Sequence, residues 1–148
     1  MTQHFDDVTL CSEGLLITES LSKAGLSCRR TVCTHIELFS HRVRDRRRWR
    51  PRSARAARRL GSQVIVLYRR TRGEMPAIPE EVLEAEREGV EFCFLMQPAE
   101  IIGRGTRVAA VRCLRCRLGE PDDSGRRRPV PIKDSTQDFA ADAVLLAT

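Results

Sequence analysis

The sequence predicts an α/β architecture: a parallel sheet with helices, joined to a second, β-rich layer. Three observations predict it. Gln63-Val-Ile-Val-Leu67 is a short apolar run rich in β-branched residues, the pattern of a strand buried on both faces. Helical patterns stand on either side of it. Beyond Val90 the chain changes to short segments with strand character, separated by turn residues. The order helix, strand, helix, then several strands fits an α/β unit carrying an extra β layer.

The elements follow in order. Residues 1–41 show little periodicity, and Thr9 to Leu21 is moderately apolar without a helix or strand pattern. Residues 42–54 are a basic run with almost no apolar side chains. Ala54 to Leu60 reads as the end of a helix, closed by Gly61 just past the C-cap. Gln63 to Tyr68 is the buried strand. Met75-Pro-Ala-Ile-Pro79 is a stiff connection, and Pro79 suits the first position of a helix. Glu80 and Glu81 favour the positive end of that helix, Ile78, Val82 and Ala85 recur at helical spacing, and Gly89 stops it. Val90 to Met96 alternates and predicts one strand, with Val90, Phe92, Phe94 and Met96 on one face. Short strands are expected at Ala99 to Ile102 and Val108 to Leu118. A hairpin-type loop spans Gly119 to Arg128, and strands return at Val130 to Ile132 and Ala143 to Leu146.

Length and composition bound the rest. At 148 residues the chain is one domain or a piece of something larger, and a hydrophobic content of 41% allows a real core. No stretch approaches the roughly 20 apolar residues needed to span a membrane. The start Met1-Thr-Gln-His-Phe-Asp-Asp lacks the basic and apolar parts of a signal peptide, so a cytoplasmic protein with reduced thiols is expected. The net charge of +6 is unevenly spread: arginine is concentrated between Arg42 and Arg59 and again at Arg126 to Arg128, while only two residues are lysine. A nucleic-acid surface more usually mixes both, and the bias suggests a GC-rich gene.

The chemistry is concentrated behind the buried strand, in Tyr68-Arg69-Arg70-Thr71-Arg72. Ligands of open α/β sheets bind beyond the carboxyl ends of the strands. Three arginines there make an anion pocket. In dinucleotide-binding folds an arginine near the end of the second strand accommodates the 2′-phosphate of NADP, so Arg69, Arg70 and Arg72 are candidate cofactor-binding residues. The alternative is a solvated, salt-bridged strand end.

From Ala54 to Ala147 the sequence resembles the NADPH-binding domain of the small (beta) subunit of glutamate synthase and of related FAD-dependent pyridine nucleotide-disulfide oxidoreductases. The matching pieces are AARRLG (56–61), VLYRRTRGEMPAIPEEVLEA (66–85), EGVEFCFL (88–95), RCLRCRLGEPDDSGRRRPVPI (112–132) and ADAVLLA (141–147), in family order. The resemblance implies a partial Rossmann-like NAD(P)-binding domain over residues 54–148, preceded by a poorly defined segment over 1–53. It implies that Arg69 and Arg70 hold the 2′-phosphate of NADP(H), with Arg72 as a helper; a bidentate guanidinium suits a phosphate. In the intact family enzyme NADPH reduces an FAD in a neighbouring domain, and electrons pass on to an iron–sulfur partner or large subunit.

One family feature is missing. A glycine-rich turn lies about 20 residues before the arginines in such folds and lets the pyrophosphate approach backbone N–H groups. Here the corresponding stretch is Asp45-Arg46-Arg47-Arg48-Trp49-Arg50-Pro51-Arg52, with no glycine. The strand expected before it is missing as well, since His41 to Arg44 is not an apolar run. A shifted reading frame would account for both: if Asp45 to Trp49 were encoded GAT-CGG-CGG-CGG-TGG, reading one nucleotide later would give Ile followed by glycines. On that reading the chain is an incomplete oxidoreductase domain, inactive alone. The alternative is a genuine arginine-rich segment that binds nucleic acid.

Other candidates are weaker. Cys113-x-x-Cys116 lies on an expected strand, where residues three apart face opposite ways and sit about 10 Å apart, beyond the roughly 7 Å a disulfide spans. Packing is the expected role. Cys11, Cys28, Cys33 and His35 form no zinc-type spacing. His4, His35 and His41 have no acid–nucleophile setting. Asp122-Asp123-Ser124-Gly125 is turn chemistry.

Overall fold

The computed structural model describes residues 8–11, 30–35, 51–105 and 107–147. Five strands form a parallel sheet: β1 (Val8–Cys11), β2 (Arg30–His35), β3 (Gln63–Tyr68), β4 (Val90–Phe94) and β8 (Ala143–Ala147). Their order is β1-β8-β2-β3-β4. Three longer strands, β5 (Met96–Arg104), β6 (Arg107–Pro121) and β7 (Arg127–Ala140), form an antiparallel meander. Two helices, α1 (Arg52–Arg59) and α2 (Pro79–Arg87), complete the described fold.

β3 sets the layers. Its side chains alternate between the two faces of the sheet. Val64 and Val66 enter a buried cluster with Ala54 and Ala57 of α1 and Ala85 of α2. Leu67 and the partly buried Ile65 face the other way, onto Val108, Val111 and Cys113 of β6, Phe139 of β7 and Val144 of β8. The parallel sheet therefore lies between the helices and the meander. An apolar run without polar alternation is what a strand covered on both faces requires.

The helix ends follow from local chemistry. Past α1, Ser62 N–H donates to the Ala57 carbonyl (3.2 Å) and Gly61 N–H to Arg58 (3.0 Å), the paired bonds of a Schellman motif. Gly61 sits at φ 95°, which glycine adopts without a Cβ penalty. α2 begins at Pro79 with Glu80 and Glu81 in its first turn and ends before Gly89, at φ 91°.

Three expectations are corrected. Val90 to Met96 is not one strand. Leu95 turns into the left-handed region at φ 58°, so β4 ends in the parallel sheet and β5 begins in the meander. The strand preceding α1 is present, but earlier than His41 to Arg44: it is β2, paired in parallel with β3 from Arg30↔Gln63 to Thr34↔Leu67. The return after the hairpin does not stop at Ile132, because β7 runs on to Ala140 around an irregularity that places Asp134 at φ 54°. Among the described residues no helix is long and apolar enough to cross a membrane.

Candidate functional site

All five strands of the parallel sheet point the same way, so their carboxyl ends share one edge. β3 delivers Arg69, Arg70 and Arg72 to that edge. The arginines do not gather into one cluster; each is committed to a different neighbourhood. Arg69 is half-buried and follows Leu67 onto the meander side. Its charge draws the Cys116 thiol down, against the larger effect of burial that raises it.

Arg70 is buried, with 4% of its side chain exposed. Its Nε donates to the Arg127 carbonyl at 2.9 Å, and a terminal nitrogen donates to Asp122 Oδ2 at 3.2 Å. Both partners belong to the β6–β7 hairpin. Its own carbonyl accepts the Leu95 N–H at 3.1 Å, and the Leu95 carbonyl accepts Cys116 N–H at 2.7 Å. Arg70 thus joins β3, the left-handed link between β4 and β5, and the hairpin.

Asp122 organises that hairpin. Its Oδ1 accepts the N–H groups of Ser124 (2.9 Å) and Arg126 (3.2 Å), and Gly125 takes φ 76°. Hydrogen bonds from Ser124, more than the nearby Arg70 charge, hold its carboxyl below the usual carboxylate range. The turn chemistry expected of Asp122 to Gly125 is what these bonds describe; the reach of Asp122 to Arg70 is additional.

Arg72 is different again. Its side chain is 48% exposed and ion-pairs with Glu86 of α2. Its guanidinium lies 5.8 Å from the centre of the Phe94 ring, which stacks on Phe92 at 6.1 Å between centroids. Thr71 sits between Arg70 and Arg72. Its N–H and hydroxyl donate to Glu74 (3.4 and 3.1 Å), bracing a single 3-10 turn, Arg72–Glu74. Tyr68 donates its hydroxyl to the Glu74 carbonyl at 3.1 Å. Asp122, Arg127, Glu86 and Phe94 were not legible as site residues in the sequence. Each meets an arginine across a long stretch of chain, and no local pattern announces such contacts.

The residues fit one end of a dinucleotide. An exposed guanidinium at the carboxyl edge, beside an aromatic ring, suits a phosphate on an adenosine ribose. For the pyrophosphate end the chain offers no glycine between His35 of β2 and α1. Residues 45–50 of that stretch lie outside the described residues. Pro51 is buried at the start of α1, and Arg52 is exposed.

Beyond the exposed Arg52, the arginines of the described part of the basic run, Arg55, Arg58 and Arg59, have internal partners. Glu88, just past α2, accepts Arg55 Nε and a terminal nitrogen on Oε1 (3.0 and 2.6 Å) and Arg59 on both oxygens (2.7 and 3.2 Å). These hydrogen bonds, Arg55's first, lower its carboxyl from the ordinary 4.5 to about 2. Arg58 donates to the Glu88 and Ser62 carbonyls at 3.0 and 3.2 Å. Arg42 to Arg50 lie outside the described residues, as do the side chains of Cys11, Cys28, Cys33, His4, His35 and His41.

Cys113 is buried in the core between the sheets, and burial pushes its thiol up to about 12. Cys116 lies outside that cluster, with its Sγ 3.8 Å from Gln97 Oε1. Among the described residues, no three His, Cys, Asp or Glu side chains are placed to hold a metal ion.

No protein-family model matches the chain. Curated proteins do. The chain is 45% identical over 95 residues to the NADP(+)-dependent formate dehydrogenase subunit beta of Moorella thermoacetica, covering 64% of this chain and 13% of that one. It is 42% identical over 92 residues to the glutamate synthase [NADPH] small chain of Halomonas elongata, covering 62% and 19%. Its identity to the Escherichia coli glutamate synthase [NADPH] small chain is 40% over 94 residues, covering 62% and 20%. The chain therefore spans a fifth or less of the length of these relatives. Among solved structures it is similar to T. acidophilum thioredoxin reductase, with TM-score 0.58, 14% identity, and coverage of 97% of this chain and 36% of that one. Mycobacterium tuberculosis FprA, in complex with NADPH, matches with TM-score 0.59, 15% identity, and coverage of 83% and 39%. These likenesses show the fold, a Rossmann-like α/β domain. Over nearly two thirds of its length, then, this chain is homologous to part of the glutamate synthase small chain and related NADPH oxidoreductase subunits.

Proposed function

We propose that this chain is the NADP(H)-binding part of an FAD-dependent oxidoreductase of the glutamate-synthase-small-subunit type, with Arg69, Arg70 and Arg72 forming the 2′-phosphate end of its site. The observation that carries the reading is the 45% identity over 95 residues, together with three arginines at the carboxyl edge of a parallel sheet. Residues 54–148 carry the family's sequence, and the segment 1–53 contributes β1 and β2 to the same sheet. When bound, NADPH supplies a hydride, which the intact family enzyme passes to FAD and on to an iron–sulfur or large-subunit partner in the cytoplasm.

The residues of this chain do part of that work. The arginines favour an anion beyond β3 by charge and by planar hydrogen bonding. The missing glycines remove the backbone approach that a pyrophosphate needs. The isolated chain is therefore an incomplete site that binds NADPH weakly or not at all and does not turn over. Isothermal calorimetry with NADPH is expected to give little or no heat. A dissociation constant in the low micromolar range would contradict this.

The rival reading, an arginine-rich nucleic-acid-binding protein, predicts affinity that falls steeply with salt. Gel-shift titrations at two salt concentrations are expected to show no such binding. Supporting that outcome, Arg55 and Arg59 are already paired with Glu84 and Glu88. The gene sequence across residues 40–55 tests the shifted frame directly: codons that encode no glycine in any other frame would sink it.

A further inference from the structure

We propose that Arg70 and Arg72 divide their labour: Arg70, with Asp122, is a positioning residue that clasps the β6–β7 hairpin to the end of β3, and Arg72 is the residue that meets the phosphate. This rests on the nucleotide reading above and sharpens it.

Three observations carry the division. The first is burial. Arg70 exposes 4% of its side chain, whereas Arg72 exposes 48%. A phosphate carrying its ribose cannot reach a buried guanidinium without displacing the hairpin, but it can reach Arg72.

The second is partnership. Arg70 is held by a carboxylate at 3.2 Å and a backbone carbonyl at 2.9 Å, both from the hairpin. Removing either from a buried cation leaves charge or polarity uncompensated, so the arrangement resists exchange for a ligand. Arg72 ion-pairs with Glu86, whose side chain is 33% exposed. An exposed pair of this kind is weak and yields readily to a doubly charged anion.

The third is shape. The guanidinium of Arg72 lies over Phe94, which stacks on Phe92. An aromatic face beside a cation offers a surface to a planar base as well as a charge to its phosphate. The Arg70 carbonyl, by accepting Leu95 N–H, fixes the link that ends β4 directly after Phe94. The Arg70 side chain adds to this by holding the hairpin that continues β6, whose Cys116 N–H donates to the Leu95 carbonyl at 2.7 Å, and so positions the ring beneath Arg72 without touching the ligand.

The test uses only the phosphate end, so it does not depend on a glycine loop. The full chain is titrated by NMR with 2′-AMP and, separately, with 5′-AMP, which differ only in phosphate position. Wild type is expected to prefer 2′-AMP. Arg72→Ala should lose that preference by about tenfold, the loss of a charge-assisted contact, with an unchanged melting temperature. Asp122→Asn and the milder Arg70→Lys should lower the melting temperature and speed amide exchange at Leu95 and residues 122–127. Asp122→Glu should restore part of both.

If wild type is indifferent to phosphate position, the nucleotide reading falls and this proposal falls with it. If wild type prefers 2′-AMP but Arg70→Lys abolishes the preference with melting and exchange unchanged, the division of labour alone is wrong. Retained preference in Arg72→Ala has the same meaning.

Discussion

Gly61 and Gly89 separate two costs that are usually confounded. Both follow helices and both take positive φ, 95° and 91°. A Cβ built on Gly61 meets nothing within 4 Å, but one on Gly89 falls 2.8 Å from Arg58 Nε. Gly61→Ala is expected to cost about 1 kcal/mol, the backbone penalty alone. Gly89→Ala should cost more, because Arg58 must also give up its place against the Glu88 carbonyl. Urea unfolding of the two variants measures the difference, and equal losses would show that Arg58 moves freely.

Glu88 gives a pH signature at the same scale. Its folded value lies near 2, below the ordinary 4.5. A depressed carboxylate contributes stability above its unfolded value, and that contribution fades as pH falls from about 4.5 towards 2. Glu88→Gln should therefore be less stable than wild type at pH 7, with the gap narrowing by pH 3. A gap independent of pH would locate the effect in packing.

At the scale of elements, the chain passes from the parallel sheet into the meander through one strained residue. Leu95 is not a glycine, yet it adopts φ 58° between β4 and β5. A branched Cβ is poorly tolerated there, so Leu95→Val is expected to destabilise the fold by about 1–2 kcal/mol. The urea midpoint should fall without a change in slope.

This element also shows what sequence patterns can and cannot reveal. Period-two alternation ran unbroken from Val90 to Met96, because one residue in the left-handed region leaves no mark on polarity. β3 was legible to the residue, since burial on both faces writes itself as an apolar run. α1 and α2 were legible at their ends through Gly61, Pro79 and Gly89. β1 and β2 were not, being short and mixed in composition. Most of β7 was also hidden. Pro131, Ile132, Lys133 and Asp134 are exposed, so no buried face imposed a pattern on them. The candidate arginines were visible, but their partners were not, because Asp122 and Glu86 reach them only through tertiary folding.

For the whole molecule, the core between the sheets carries the largest expected effect. Leu67 is fully buried between the sheets. Leu67→Ala should cost about 2–5 kcal/mol, a large share of the stability of an ordinary domain. Thermal unfolding would register it as a substantial drop. Cys113 shares that core, and its thiol, raised to about 12, is expected to resist thiol reagents at neutral pH until denaturant is added. Rapid labelling of the native chain at Cys113 would mean that the two sheets separate readily.

The position of β8 has a consequence for how the chain reaches this state. β8 lies between β1 and β2, and β1 pairs with no other described strand. Val144 stands opposite both Val8 and Val32. During synthesis β2 can pair with β3, but β1 must wait for β8, and the β8-facing edge of β2 stays open until then. Such distant pairings close slowly, and strand edges left open meanwhile are prone to association with other chains. The emergence of β8, more than that of the helices, is the event at which this sheet becomes whole.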